Sequence, residues 1–239
     1  MEGAPTPQMP ATLPFDPSLS EADHDLAALA DRVSDSGECA ISFCCYGLPG
    51  TGKSAYARYI AQRMGLDVIE KRASDLFSMW VGQSEKRIAQ AFQEAADRRA
   101  MLILDEADSL LRDRARARAS WEVTQVNEML TWMERHPYPF ACTTNMMESL
   151  DPATLRRFLF KIRFLPMRAD QAREAFRRSF GAEAPLGLDR LDNLAPGDFA
   201  LVARKAALLG QRDGSALAMM LAAELEAKPD GRRRRIGFG

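Results

Sequence analysis

Histidine is almost missing from this sequence: His24 and His136 are the only two. Neither has a second ligand type at metal-binding spacing, so no zinc site is expected. Cysteine is sparse as well. Cys39, Cys44, Cys45 and Cys142 show no CxxC spacing, and Cys44 and Cys45 sit in an apolar run. That pattern predicts small packing residues in a reducing cytosol rather than disulfides. No apolar run approaches the ~20 residues that span a bilayer, so no membrane association is expected. The opening residues, MEGAPTPQMPATLPFDP, carry neither the basic nor the apolar region of a signal peptide. A cytoplasmic location is the resulting expectation. A large charge of one sign is missing too: the net charge is −1, which does not advertise a nucleic-acid or acidic-membrane partner. Internal repeats, low-complexity tracts and an H-E-x-x-H protease motif are likewise not found.

What is present is globular composition, 46% hydrophobic and 27% charged over 239 residues, enough for one ordinary domain and a smaller one. Four prolines before Phe15 predict an extended arm over residues 1–20. Residues 21–33 read as a helix, with Leu26, Leu29, Ala30 and Val33 on one face. Short apolar runs follow at Ala40–Tyr46, Leu66–Lys71, Met101–Leu104, Phe140–Thr144 and Phe160–Phe164. They alternate with helical patterns, among them Ile88, Ala91, Phe92, Ala95 and Ala96, and then Val126, Met129, Leu130 and Met133. Five such alternations predict an α/β domain over 21–166, with a five-stranded parallel sheet covered on both faces. After Pro166 the texture turns helical, at 169–180, 196–209 and 215–227, which predicts a small all-helical domain over 167–228. A basic tail, 229–239, closes the chain.

The most specific signal is GLPGTGKS, Gly47 to Ser54. It fits G-x-x-x-x-G-K-[ST], and it follows a predicted strand and opens a predicted helix, as a phosphate-binding loop must. The glycines let the backbone turn its N–H groups toward phosphate oxygens, and the helix N-terminus adds positive charge. Gly47, Pro49, Gly50, Thr51, Gly52, Lys53, Ser54 and Ala55 are therefore expected to bind ATP. Lys53 would reach the β- and γ-phosphates, and Ser54 would ligate Mg²⁺. LILDEAD supplies a second half. Asp105 ends an apolar strand, expected beside the phosphate strand, and would complete the Mg²⁺ shell. Glu106 follows it and would orient or deprotonate the attacking water. Asp108 reads as structural or solvated.

On these motifs the sequence resembles the AAA ATPase family, over nearly its whole length. The resemblance implies a P-loop NTPase sheet followed by a helical lid. It implies that Asn145, ending ACTTN, is the polar residue that positions water or senses the γ-phosphate. It further implies that Arg156 and Arg157, in LDPATLRRFLFKIRF, reach the nucleotide of a neighbouring subunit in a homo-oligomer, a hexamer by family habit. That segment looks closest to the compact form in katanin and spastin, and which of the two arginines is the finger stays open. Gly197, in APGDFA, matches a lid turn against the adenine, to which Leu13–Asp16 would add.

The resemblance also accounts for an aromatic in a polar stretch, DLFSMWVGQSEK. Trp80-Val81-Gly82 matches a pore loop that grips an extended polypeptide through apolar area, with Gly82 as its bend. The expected function is a ring-forming ATP-hydrolysing motor that remodels, unfolds or threads protein substrates, alone or through an adaptor. Two alternatives stay open. One is a nucleic-acid motor or loader, in which Arg112, Arg114, Arg116 and Arg118 contact phosphates. The other is a slow ATP-dependent assembly switch.

Overall fold

The computed structural model describes residues 15–78, 82–117 and 119–228. Trp80, Val81, Arg118 and the tail 229–239 lie outside the described residues, as do residues 1–14.

Residues 21–165 form one compact unit. In chain order it contains β1 (Glu21–Ala22), α1 (Leu26–Ser36), β2 (Ser42–Gly47), α2 (Lys53–Arg63), β3 (Val68–Arg72) and α3 (Ala73–Leu76). It continues with α4 (Gln83–Asp97), β4 (Met101–Asp105), α5 (Ser120–Arg135), β5 (Phe140–Thr144), α6 (Pro152–Arg157) and β6 (Phe160–Leu165). The strands form one sheet in the order β1-β6-β2-β5-β4-β3. The pairs from β6 across to β3 are all parallel. The α/β class and the five parallel strands stand as expected.

Burial explains the composition of each strand. Every residue of β5 is buried, and so are the first four of β2 and β4. Strands covered on both faces read as unbroken apolar runs. At the edge, β3 buries only Ile69 and turns Glu70 and Arg72 outward, which discourages pairing with another chain. The core between sheet and helices gathers Ile88, Phe92, Leu102, Leu104, Met129, Phe140 and Phe158. Phe92 meets Phe140 edge-on at 5.8 Å. Each such side chain contributes roughly 1.5–3 kcal/mol by leaving water.

The observed N-terminal elements differ from the expected helix over 21–33. α1 starts only at Leu26, because the Asp25 carboxylate accepts the Ala28 N–H at 3.0 Å and caps it. Glu21 and Ala22 instead form β1, an antiparallel edge opposite Leu165 and Phe164. A sixth strand is thereby added to the sheet.

The strand order carries a second correction. Asp105 does not end a strand beside the phosphate strand β2, because β5 lies between β4 and β2. Sheet order is set by which crossover packs where, and an apolar run carries no record of its neighbours. The chain runs outward from β2 to β3, returns through β4 and β5, and then crosses to β6 on the other side of β2. The direction of winding changes between β2 and β5, and in open α/β sheets ligand crevices lie beyond the strand C-termini at such a switch.

The second unit comprises residues 15–20 and 166–228. It contains α7 (Ala169–Phe180), α8 (Pro196–Leu209) and α9 (Gly214–Ala227), close to the three expected helices. Phe176, Leu188, Leu194, Phe199, Val202, Leu217 and Leu221 form its own core. A short 3-10 turn, Pro17–Leu19, capped by Asp16, joins α7 through Gln171, whose Nε2 donates to the Ser18 carbonyl at 3.0 Å.

Candidate nucleotide site

β2 ends at Gly47, with φ +140°. A Cβ there would lie 2.2 Å from the Phe164 carbonyl oxygen on β6. Only glycine lets the two backbones pass this closely. The loop then turns through Gly50 (φ +79°) and Gly52 (φ +99°), and the Thr51 hydroxyl donates to the Leu48 carbonyl at 2.8 Å. Gly52 stands at the N-cap of α2 and offers no side-chain acceptor. The first N–H groups of α2 are thus left for an external anion.

Lys53 is buried at 8% exposure. Its ammonium donates to the Gly47 carbonyl at 3.0 Å, the Leu48 carbonyl at 2.8 Å and Asn145 Oδ1 at 2.8 Å. Burial pushes its pKa below the usual lysine value, and Cys45, Asp105 and Asp108 oppose that shift. Lys53 of the loop and Asn145, 92 residues apart, therefore meet directly.

The acidic half converges on the same place. Asp105 Oδ1 accepts the Ser54 hydroxyl at 2.6 Å and the Thr143 hydroxyl at 2.5 Å. A hydroxyl and a carboxylate in contact are hard oxygen donors of the kind Mg²⁺ selects, so the donor set fits that ion. Glu106 is exposed and left-handed, φ +54°, uncommon for a residue with a side chain. Its N–H donates to Thr143 Oγ1 at 3.1 Å, and the Ala107 N–H donates to the Thr143 carbonyl at 2.8 Å. Asp108 accepts the Thr144 hydroxyl and, at 3.2 Å, the Met146 N–H. It thereby ties the Asn145 loop to the end of β4. No sequence motif marks Thr143 and Thr144; adjacent hydroxyl residues ending a buried strand are the signal that could find them.

The two arginines of α6 are treated differently. Arg157 is engaged: it pairs with Glu134 of α5 at 2.6 Å and donates from Nη1 to the Ala153 carbonyl at 2.9 Å. Arg156 is exposed and makes no hydrogen bond or ion pair with a described residue. In the basic run, Arg114 is committed as well, to Asp151 at 2.8 Å and Asn127 at 2.8 Å, so it is a structural anchor rather than a free contact. Arg112 is exposed, while the side chain of Arg116 and all of Arg118 lie outside the described residues.

Of the expected pore loop, only Gly82 is described, with φ +80° at the N-cap of α4. Gly197 is the second residue of α8, in the helical unit. Nearby, Asp198 accepts the Ala195 N–H at 2.8 Å and pairs with Lys228 at 2.7 Å.

A glycine loop opening a helix at the switch point, with a buried lysine and a Ser–Asp pair, defines a P-loop nucleotide-binding domain. Residues 43–166, just over half the chain, match the ATPase family associated with various cellular activities (AAA), and the chain belongs to that family. It is 38% identical over 136 residues to the uncharacterized protein ORF529 of Acidianus two-tailed virus, covering 51% of this chain and 26% of that one. Against Protein CdcH of Halobacterium salinarum the identity is 31% over 184 residues, 70% of this chain and 25% of the relative. Against Protein SUPPRESSOR OF K(+) TRANSPORT GROWTH DEFECT 1 of Arabidopsis thaliana it is 30% over 158 residues, 63% and 36%. The chain thus spans about a quarter to a third of these relatives. No described helix is long and apolar enough to cross a membrane.

Proposed function

We propose that the chain is a Mg²⁺-dependent ATP-hydrolysing motor module that works as a homo-oligomer, a hexamer by family habit, and pulls on polypeptide substrates. The observation that carries the hydrolytic part is the Ser54–Asp105 contact of 2.6 Å beside the uncapped N-terminus of α2.

The loop amides from Gly47 to Ala55 and the Lys53 ammonium bind the phosphates. Ser54 and Asp105 would hold Mg²⁺, which when bound neutralises developing charge on the phosphoryl oxygens. Glu106 orients the attacking water and takes its proton. Asn145, held by Lys53, completes the positioning of that water. Arg156 supplies a cation to the site of a neighbouring copy, a contribution worth about 10³–10⁵ in rate. Its exposure and its lack of partners among the described residues support it over Arg157, which anchors α6. Gly197 contributes to the adenine end. Trp80-Val81, hinged at Gly82, grips an extended chain by apolar contact. The nucleic-acid reading loses support because Arg114 is already neutralised by Asp151.

The test is a substrate trap. Glu106→Gln is expected to bind ATP, assemble and fail to hydrolyse, whereas Lys53→Ala fails to bind. Immobilised Glu106→Gln with ATP is expected to retain a protein that Glu106→Gln/Trp80→Ala releases. Normal turnover by Glu106→Gln removes Glu106 from catalysis. Retention of nucleic acid in place of protein overturns the substrate assignment.

A further inference from the structure

We infer that Thr143 is a positioning residue for the hydrolytic step, because one hydroxyl joins the metal-binding carboxylate to the backbone that carries the water-activating one. The inference rests on the hydrolytic reading above and assigns that site a further residue.

β4 and β5 run level as far as Leu104 and Cys142, so Asp105 and Thr143 emerge side by side at the sheet's C-terminal edge. There the regular ladder stops. Glu106 turns left-handed, and its N–H is received by the Thr143 side chain. The same hydroxyl donates its one proton to Asp105 Oδ1. A threonine hydroxyl has one donor and two acceptor positions, so the donor and one acceptor are both in use. Thr143 is 2% exposed, which leaves water little access to substitute for it.

Two consequences follow. Asp105 Oδ1 accepts from both Ser54 and Thr143, so the carboxylate is held from two sides and its second oxygen is fixed in direction. A carboxylate held by one hydroxyl alone retains a rotation about its Cβ–Cγ bond. Glu106 sits in a backbone conformation that residues with a side chain rarely adopt, and the Thr143 hydroxyl receives the amide that this turn removes from the ladder. The placement of the metal ligand and of the general base is therefore coupled through one oxygen, supplied by a strand that holds neither.

Thr143→Val keeps the buried shape and removes that oxygen. It is expected to lower kcat about tenfold to a hundredfold, the scale of a hydrogen bond to a charged group expressed as rate. ATP affinity without Mg²⁺ is expected to stay within about twofold, because the loop and Lys53 are untouched. The extra thermal stabilisation that Mg²⁺ adds to ATP is expected to shrink and to need more Mg²⁺. Thr143→Ser restores both readouts. Thr143→Ala, run alongside, removes the hydroxyl without setting a methyl group against Asp105, so a folding defect peculiar to valine does not decide the result. Wild-type kcat and Mg²⁺ requirement in Thr143→Val or Thr143→Ala, measured where Glu106→Gln is inactive, overturns the inference. So does a folded Thr143→Ser as impaired as the valine variant. A wild type that binds Mg²⁺ and ATP without turnover refutes the hydrolytic reading instead, and the Mg²⁺ titration still decides for or against Thr143.

Discussion

His136 shows how one buried side chain sets a pH response. It caps the C-terminus of α5 at 6% exposure, with Phe92 edge-on at 5.1 Å and Phe140 at 6.2 Å. Among the described residues its Nε2 has no hydrogen-bond partner. Burial pushes its pKa down to about 4. The folded chain therefore holds it neutral, while the unfolded chain takes up a proton near 6.5. The unfolded state binds more protons between these values, so stability is intact above about 6.5 and falls as pH drops toward 4. The full loss is roughly 3 kcal/mol. Thermal melts from pH 7 to 4 are expected to show a steeper decline for the wild type than for His136→Phe, which keeps the aromatic packing. Parallel declines would place the acid sensitivity elsewhere. The buried thiols follow the same physics with the opposite sign: burial pushes Cys44 up to about 12, so it packs as a neutral group.

Among the elements, α6 shows how a short helix that presents an arginine is held. It has six residues, too few to be stable alone. Asp151 caps it, accepting the Ala153 N–H at 2.8 Å, and accepts Arg114 Nε at 2.8 Å from the loop after β4. Burial by itself would raise the Asp151 pKa, but the hydrogen bonds from Arg114 and the backbone more than offset this and hold it below the usual value. Arg157 ties the other end of α6 to Glu134. Arg114→Ala leaves a buried carboxylate without its cation. Because the Arg114 side chain is 34% exposed, the expected cost is about 1–3 kcal/mol, below that of a fully buried pair. It is expected to lower the melting temperature by several degrees and, by loosening α6, to reduce turnover without changing ATP affinity. An unchanged melting temperature would show that Arg114 is not the anchor.

For the whole molecule, the division of labour between Arg156 and Lys53 makes assembly testable. If Arg156 of one copy completes the site of another, activity belongs to the contact between copies. Lys53→Ala and Arg156→Ala alone are each expected to be nearly inactive, Arg156→Ala by about 10³ or more. Mixed in equal amounts, they are expected to recover a measurable fraction, because a Lys53→Ala copy lends its arginine to an Arg156→Ala copy. Turnover per chain is likewise expected to fall on dilution. A mixture no more active than its parts, with wild-type rate unchanged at high dilution, would place the arginine's action within one chain.

The sequence by itself determined the alternation of strands and helices, the glycine loop and the acidic pair. These rest on short-range physics: apolar runs for doubly covered strands, a 3.6-residue period for helices, and a loop whose spacing its chemistry requires. α7 and α8 were legible to the residue, because α7 ends at Gly181 (φ +66°) and α8 starts at Pro196 and ends before Gly210. Only the tertiary structure decided which strands are neighbours. That choice inserted β5 between β2 and β4, made Glu21–Ala22 an edge strand, and brought Thr143 onto Asp105 and Asn145 onto Lys53. It also separated two adjacent arginines, leaving Arg156 exposed and engaging Arg157. Such facts depend on which backbone passes within a few ångströms of which side chain. A local pattern of residues carries no term for partners 38 or 92 positions away.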